Sequence, residues 1–111
     1  MAVLAVIAFA AAASLGLVRN STVAAQQKTE APEVKIDNFS FGPAELTIPA
    51  GATVTWVNRD DIPHTVVSTD KVFKSKVLDT DDKFSFKFDK AGTYPYFCSI
   101  HPKMTGKVVV Q

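Results

Sequence analysis

Cys98, His101 and Met104 fall within one short stretch, Cys98-Ser99-Ile100-His101-Pro102-Lys103-Met104, and a second histidine, His64, stands upstream. A thiolate, two imidazoles and a thioether are soft to borderline donors. Two histidines and a cysteine in a plane, with a weak axial methionine, form the donor combination that suits copper cycling between Cu(I) and Cu(II). His64, Cys98, His101 and Met104 are therefore the candidate ligands of one type 1 copper ion, and single-electron transfer is the chemistry they suit. The chain holds two histidines and one cysteine, so all of its strongest soft ligands fall inside this set.

Composition narrows the alternatives. A chain of 111 residues has room for one compact domain. A net charge of +1, with no basic stripe, argues against a nucleic-acid partner. Oxidase or nitrite-reductase chemistry needs an open coordination position or further metals, and no histidines remain to hold them, so the chain is not read as an enzyme. Both histidines also have a stronger claim on them than a Ser-His-Asp triad. Copper storage or delivery is the alternative function, but such proteins present open methionine-rich clusters, and this chain has two methionines, one of them Met1.

Residues 1–25 read as an export signal. Ala2 to Val18 carries no charge and is rich in alanine; Arg19 and the small-residue stretch Thr22-Val23-Ala24-Ala25 follow. Cleavage after Ala25 fits the small-x-small rule. An uncleaved anchor is the alternative, because the apolar run sits at the lower limit for spanning a bilayer. Either reading puts the domain outside the cytoplasm, with the periplasm as the expected location and membrane attachment only if the segment is uncleaved. In an oxidising compartment a lone cysteine has no internal disulfide partner, and metal ligation gives Cys98 its occupation. Residues 26–33 are polar and aperiodic, a short flexible leader. The domain proper is residues 34–111.

From Val34 the pattern becomes one of strands. Val34 and Ile36 alternate with Lys35 and Asp37, and Phe39 and Phe41 flank Ser40, which predicts half-buried strand. Gly42-Pro43 breaks that run. Leu46 and Ile48 belong to a second strand ended by Pro49-Ala50-Gly51, and Thr53 to Asn58 form a third with Trp56 as a core anchor. His64 to Val67 opens the next strand, and Lys71 to Leu78 reads as loop or weak edge strand. Phe84, Phe86 and Phe88 share one face; so do Tyr94, Tyr96 and Cys98. Gly106 to Val110 closes the chain. Short strands punctuated by Gly and Pro predict an all-β, antiparallel Greek-key sandwich of about seven or eight strands. Asp60-Asp61 and Asp81-Asp82 lie in predicted turns and read as turn chemistry. Asn38-Phe39-Ser40 matches a glycosylation acceptor pattern that arises by chance on strands.

The stretch from Ala91 to Met104, with Gly106 to Val110 behind it, resembles the carboxy-terminal copper loop of the amicyanins, which are type 1 blue copper proteins of the cupredoxin family. Thr55-Trp56-Val57-Asn58-Arg59 and Pro63-His64 extend the resemblance over most of the chain after the leader. The two-residue gap between His101 and Met104 is specific: plastocyanins and pseudoazurins have a longer one, and azurins differ more. The resemblance implies a cupredoxin-like sandwich that carries electrons in the periplasm, with His64, Cys98 and His101 as equatorial copper ligands and Met104 as the axial one. It also implies that the Asn58 amide bonds the Cys98 sulfur while the Asn58 side chain ties the loop near Ser99. Transient redox partners, such as a periplasmic dehydrogenase and a c-type cytochrome, and a monomeric state follow from it.

Two departures bear on those expectations. Ile100 stands where the amicyanins have a proline, so its amide is available as a second donor to the Cys98 sulfur, which would raise the reduction potential. Lys103 replaces an aromatic residue, and a cation on the rim changes which partner is attracted. The ring of residues Ile62, Pro63, Ile100 and Pro102 is expected to surround His101 as a small apolar docking patch. Protonation of His101 in the reduced state, near the ordinary imidazole range of about 6.5, is expected to raise the potential as pH falls.

Overall fold

A computed structural model describes residues 31–111. The signal or anchor reading of 1–25, and all of the leader before Ala31, lie outside the described residues. Eight strands follow: β1 (Glu33–Asp37), β2 (Ser40–Gly42), β3 (Glu45–Ile48), β4 (Ala52–Asn58), β5 (Val67–Ser68), β6 (Lys83–Phe88), β7 (Gly92–Phe97) and β8 (Thr105–Val110). They form two four-stranded sheets, in the orders β2-β1-β4-β6 and β3-β8-β7-β5. This is the expected all-β sandwich. Within it, β1 pairs with β4 and β3 with β8 in parallel, because each of these pairs joins strands connected by a long excursion and not by a hairpin.

Period-two patterning sets which face each strand buries. In β1, Val34 and Ile36 are buried while Glu33, Lys35 and Asp37 are exposed. Trp56 lies opposite Val34 on one side and Phe84 on the other, so it sits at the centre of its sheet's inner face. It meets Tyr96 from the opposing sheet edge-on, with ring centroids 5.3 Å apart. Phe73 and Phe88 complete an aromatic cluster around the fully buried indole. Loss of such a side chain typically costs about 3–5 kcal/mol. Gly106 on β8 lies beneath Tyr96: a Cβ there would be 2.6 Å from the Tyr96 ring and hydroxyl, so the close approach of the strand to the ring requires glycine.

One segment takes the weak edge role that the sequence offered, and another differs from the sequence reading. Residues Lys71–Leu78 turn back antiparallel along His64–Ser68, bridged at Val67–Lys74 and His64–Leu78, and the Ser75 amide donates to the Val66 carbonyl at 2.8 Å. Phe73, Ser75 and Leu78 face inward and Lys74 and Lys76 face solvent, a charged outer rim that suits an edge. Strand pairing holds the segment in place even though its own pattern is weak. Phe39 is not a strand residue. Asp37 pairs with Ser40, which leaves Asn38-Phe39 as a two-residue hairpin turn with φ of 51° and 57°. Both residues at positive φ define the turn that matches strand twist.

Candidate metal centre

Strand β7 ends at Phe97, and Cys98, with its side chain on the inner face, begins the loop that leads to β8. The loop is two successive tight turns. The His101 amide donates to the Cys98 carbonyl at 3.2 Å, and the Met104 amide donates to the His101 carbonyl at 2.9 Å. The Cys98 amide then closes the loop on the Met104 carbonyl at 3.0 Å. Turn follows turn at a three-residue pitch, which is why the spacing Cys-x2-His-x2-Met keeps the three residues in one compact loop at the end of β7. Pro102 holds the second position of the second turn, where its fixed φ is favourable.

The structure brings His64, Cys98 and His101 together. Cys98 Sγ lies 3.7 Å from His64 Nδ1 and 3.7 Å from His101 Nδ1. All three candidate ligand atoms are within 4.8 Å of one another. His64 and Cys98 have no exposed surface, Met104 is buried, and His101 is half-buried. Metal–sulfur and metal–nitrogen bonds of about 2.3 and 2.05 Å place S and N about 3.6 Å apart at a tetrahedral angle and about 3.8 Å apart at a trigonal one. The observed 3.7 Å fits a single ion between them, and the soft donor set fits copper.

The sulfur is prepared as a thiolate. Burial pushes the Cys98 thiol up, but the hydrogen bond from the Thr65 amide, together with the imidazoles of His64 and His101 beside the sulfur, outweighs it and brings the thiol from 9.0 down to about 6. The Thr65 amide donates to Sγ at 3.4 Å and the Thr65 hydroxyl at 3.8 Å. The Ser99 amide in turn donates to the Thr65 hydroxyl oxygen at 2.8 Å, tying the loop to the His64 side of the site. Thr65, not Asn58, therefore performs both parts of the role expected of Asn58. The reason is position: Thr65 directly follows His64 and faces the end of β7, whereas the Asn58 amide is spent on the Asp82 carbonyl at 3.0 Å. The Asn58 side chain instead donates to the carbonyls of Ile62 and Leu78, at 2.9 Å each, and braces the loop that carries His64. The Ile100 amide is not among the donors to the sulfur, which are the Thr65 amide and hydroxyl.

Asp60 is the functional residue that sequence reasoning passed over as turn chemistry. Its carboxylate accepts from His64 Nε2 at 2.9 Å and from the Phe39 amide at 3.1 Å. The first of these bonds, followed by the second, lowers its pKa below the ordinary 3.8. An ionised carboxylate only accepts, so neutral His64 carries its proton on Nε2 and presents a bare Nδ1 to the metal position. The ring cannot turn without breaking that bond. The signal was present in the four-residue spacing Asp60–His64, but only a tight loop makes such a spacing meaningful.

Residues 1–110 match the family model of the cupredoxin-like domain. The chain belongs to the cupredoxin family. Amicyanin of Paracoccus versutus is 37% identical to this cupredoxin over 93 residues, covering 79% of this chain and 70% of that one. A solved structure described as a purple cupredoxin from Nitrosopumilus maritimus superposes with a TM-score of 0.70 at 36% identity, covering 72% of this chain and 99% of the other. The Cu(I) form of an amicyanin variant superposes equally well, with a TM-score of 0.70 at 38% identity and coverages of 73% and 82%. The chain is thus an amicyanin-like blue copper protein whose cofactor is type 1 copper, and its chemistry is electron transfer.

Proposed function

We propose that this cupredoxin is a periplasmic one-electron carrier whose copper would be held by His64 Nδ1, Cys98 Sγ, His101 Nδ1 and the Met104 thioether. The observation that carries the reading is the convergence of three ligand atoms, each imidazole nitrogen 3.7 Å from the sulfur, on a site where His101 is the ligand that reaches the surface. Bound copper would supply the Cu(II)/Cu(I) couple. The protein supplies rigidity: Asp60 pins His64, Thr65 and the double turn pin Cys98, and the loop is closed between Cys98 and Met104. A site that barely moves when its charge changes has little reorganisation to perform, which is what fast electron transfer requires. Burial of His64, Cys98 and Met104 keeps water from the donors and favours retention over handing the metal on.

The partner reaches the site through His101. Ile100 is 45% exposed and Phe39 54%, and Pro63 and Pro102 are exposed around them. This apolar rim suits brief contacts of small area, such as those with a periplasmic dehydrogenase on one side and a c-type cytochrome on the other. Export is supported by the uncharged Ala2–Val18 run, the Val23-Ala24-Ala25 stretch and the unpaired Cys98. No catalytic turnover is assigned: the protein passes electrons between other proteins and acts as a monomer.

The test is a Cu(II) titration of the purified, reduced protein followed by visible absorption and electron paramagnetic resonance. An intense thiolate-to-copper band saturating at one copper per chain, with narrow parallel hyperfine splitting and reversible bleaching by ascorbate, is expected. A pale complex with ordinary splitting would overturn the ligand assignment.

A further inference from the structure

The hairpin turn between β1 and β2 is built in a way its own backbone does not favour. A two-residue turn with both central φ values positive calls for Asn-Gly, since glycine alone adopts the second position without steric cost. Here Asn38 meets the rule and Phe39, at φ 57°, breaks it. A bulky side chain in that region is an outlier that persists only when something else in the structure holds it there. What holds Phe39 is visible. Its amide donates to Asp60 Oδ2 at 3.1 Å, the same oxygen that accepts from His64 Nε2. Its ring stands perpendicular to both imidazoles, at 87° and 5.9 Å from His64 and at 89° and 5.1 Å from His101. The ring remains 54% exposed, so burial of apolar surface is not what keeps it there.

The two histidines differ in how they are secured. His64 is fully buried and hydrogen-bonded to Asp60. His101 is half-buried, and among the described residues no carboxylate or carbonyl accepts from its ring. Its aromatic neighbours are His64, at 5.0 Å, and Phe39.

We propose that Phe39 is a positioning residue for the copper centre: the strained Asn38-Phe39 turn presses an exposed ring edge-on against His101 and holds that imidazole in one orientation in both oxidation states. The aromatic contact does for His101 what the Asp60 carboxylate does for His64. Both supports are joined through the Phe39 amide, so the hairpin and the His64 loop brace the two imidazoles as one unit. The proposal rests on the copper-carrier reading for its consequence, and on the protein's own atoms for its geometry.

The experiment compares the parent with Phe39→Gly, Phe39→Leu and Phe39→Tyr. Glycine removes the ring and relieves the backbone, leucine keeps apolar bulk without a ring, and tyrosine keeps the ring. In the copper-loaded proteins, transfer of Cu(I) to excess chelator is expected to be about tenfold faster, and electron self-exchange about tenfold slower, in the glycine and leucine variants, with tyrosine like the parent; these sizes are those of lost outer contacts to a metal ligand. Thermal unfolding of the metal-free glycine variant is expected to match or exceed that of the parent, which separates positioning from mere folding. In the metal-free protein, nuclear magnetic relaxation of the His101 ring is expected to show greater mobility in the glycine and leucine variants. Copper transfer and self-exchange within twofold of the parent in both variants would overturn the proposal, and so would an unchanged His101 ring mobility. A parent that binds no blue copper but still loses His101 order on Phe39→Gly would refute the carrier reading and leave the brace standing.

Discussion

In the metal-free protein, protonation of Cys98 is a perturbation whose size follows from the geometry. The folded chain brings this thiol to about 6, against the ordinary 9.0 of an unfolded chain. Above 9.0 both states carry thiolate; between about 6 and 9.0 only the unfolded state binds the proton; below about 6 both do. Stability therefore rises with pH across that window, and the contribution is lost as pH falls through about 6. At 1.36 kcal/mol per pH unit, a span of about three units caps the gain at about 4 kcal/mol. With a urea dependence of about 1–3 kcal/mol per molar, a gain of this order moves the unfolding midpoint by about 1–4 M. The assay is urea unfolding of the metal-free parent and of Cys98→Ser at closely spaced pH values from 5.5 to 8.5, on the order of a few tenths of a unit apart. The parent's midpoint should climb and that of the serine variant, which has no group to ionise here, should climb far less. A parent midpoint that is flat or falls over this range, or an equal slope in both proteins, would refute the account of the thiolate. Copper affinity should follow the same group, nearly level above about pH 6 and dropping about tenfold per pH unit below it, because the ligand must then lose a proton to bind.

Asp60→Asn removes the carboxylate that sets the His64 tautomer; copper affinity measured by competition with a chelator should fall about 10- to 100-fold, and an unchanged affinity would remove Asp60 from the site's supports. Met104→Leu should leave a blue protein with a higher reduction potential, because losing a weak axial donor destabilises Cu(II) more than Cu(I); cyclic voltammetry reads the sign. Gly106→Ala places a Cβ against the Tyr96 ring and should cost about 1–3 kcal/mol in denaturant unfolding with the copper spectrum retained.

The candidate ligands were legible because chemistry names them: one cysteine, two histidines and a loop methionine are the donors a soft metal takes. Strand alternation was legible for the same local reason, since Val34, Ile36, Phe88, Tyr96 and Val108 fall on inner faces by period alone. Phe39 misled that reasoning. Its place in an alternating run suggested strand, while the pairing of Asp37 with Ser40 leaves room only for a turn. Asp60 was missed because a paired acid in a turn looks the same whether it faces water or a histidine.

By itself the sequence determined the donor set, the kind of fold and the spacing of Cys98, His101 and Met104, since donor type and period are local. Tertiary structure decided everything that depends on which loops meet at the end of the sandwich. The pairing of His64–Ser68 with Lys71–Leu78, and of β5 with β7, places Thr65 against the Cys98 sulfur 33 residues away. The β1–β2 hairpin sets Phe39 and Asp60 around the histidines, 21 residues apart in the chain and joined at 3.1 Å. A hydrogen bond has a short reach and a fixed direction, so which amide or carboxylate completes it depends on register and loop closure, which no run of neighbouring residues encodes.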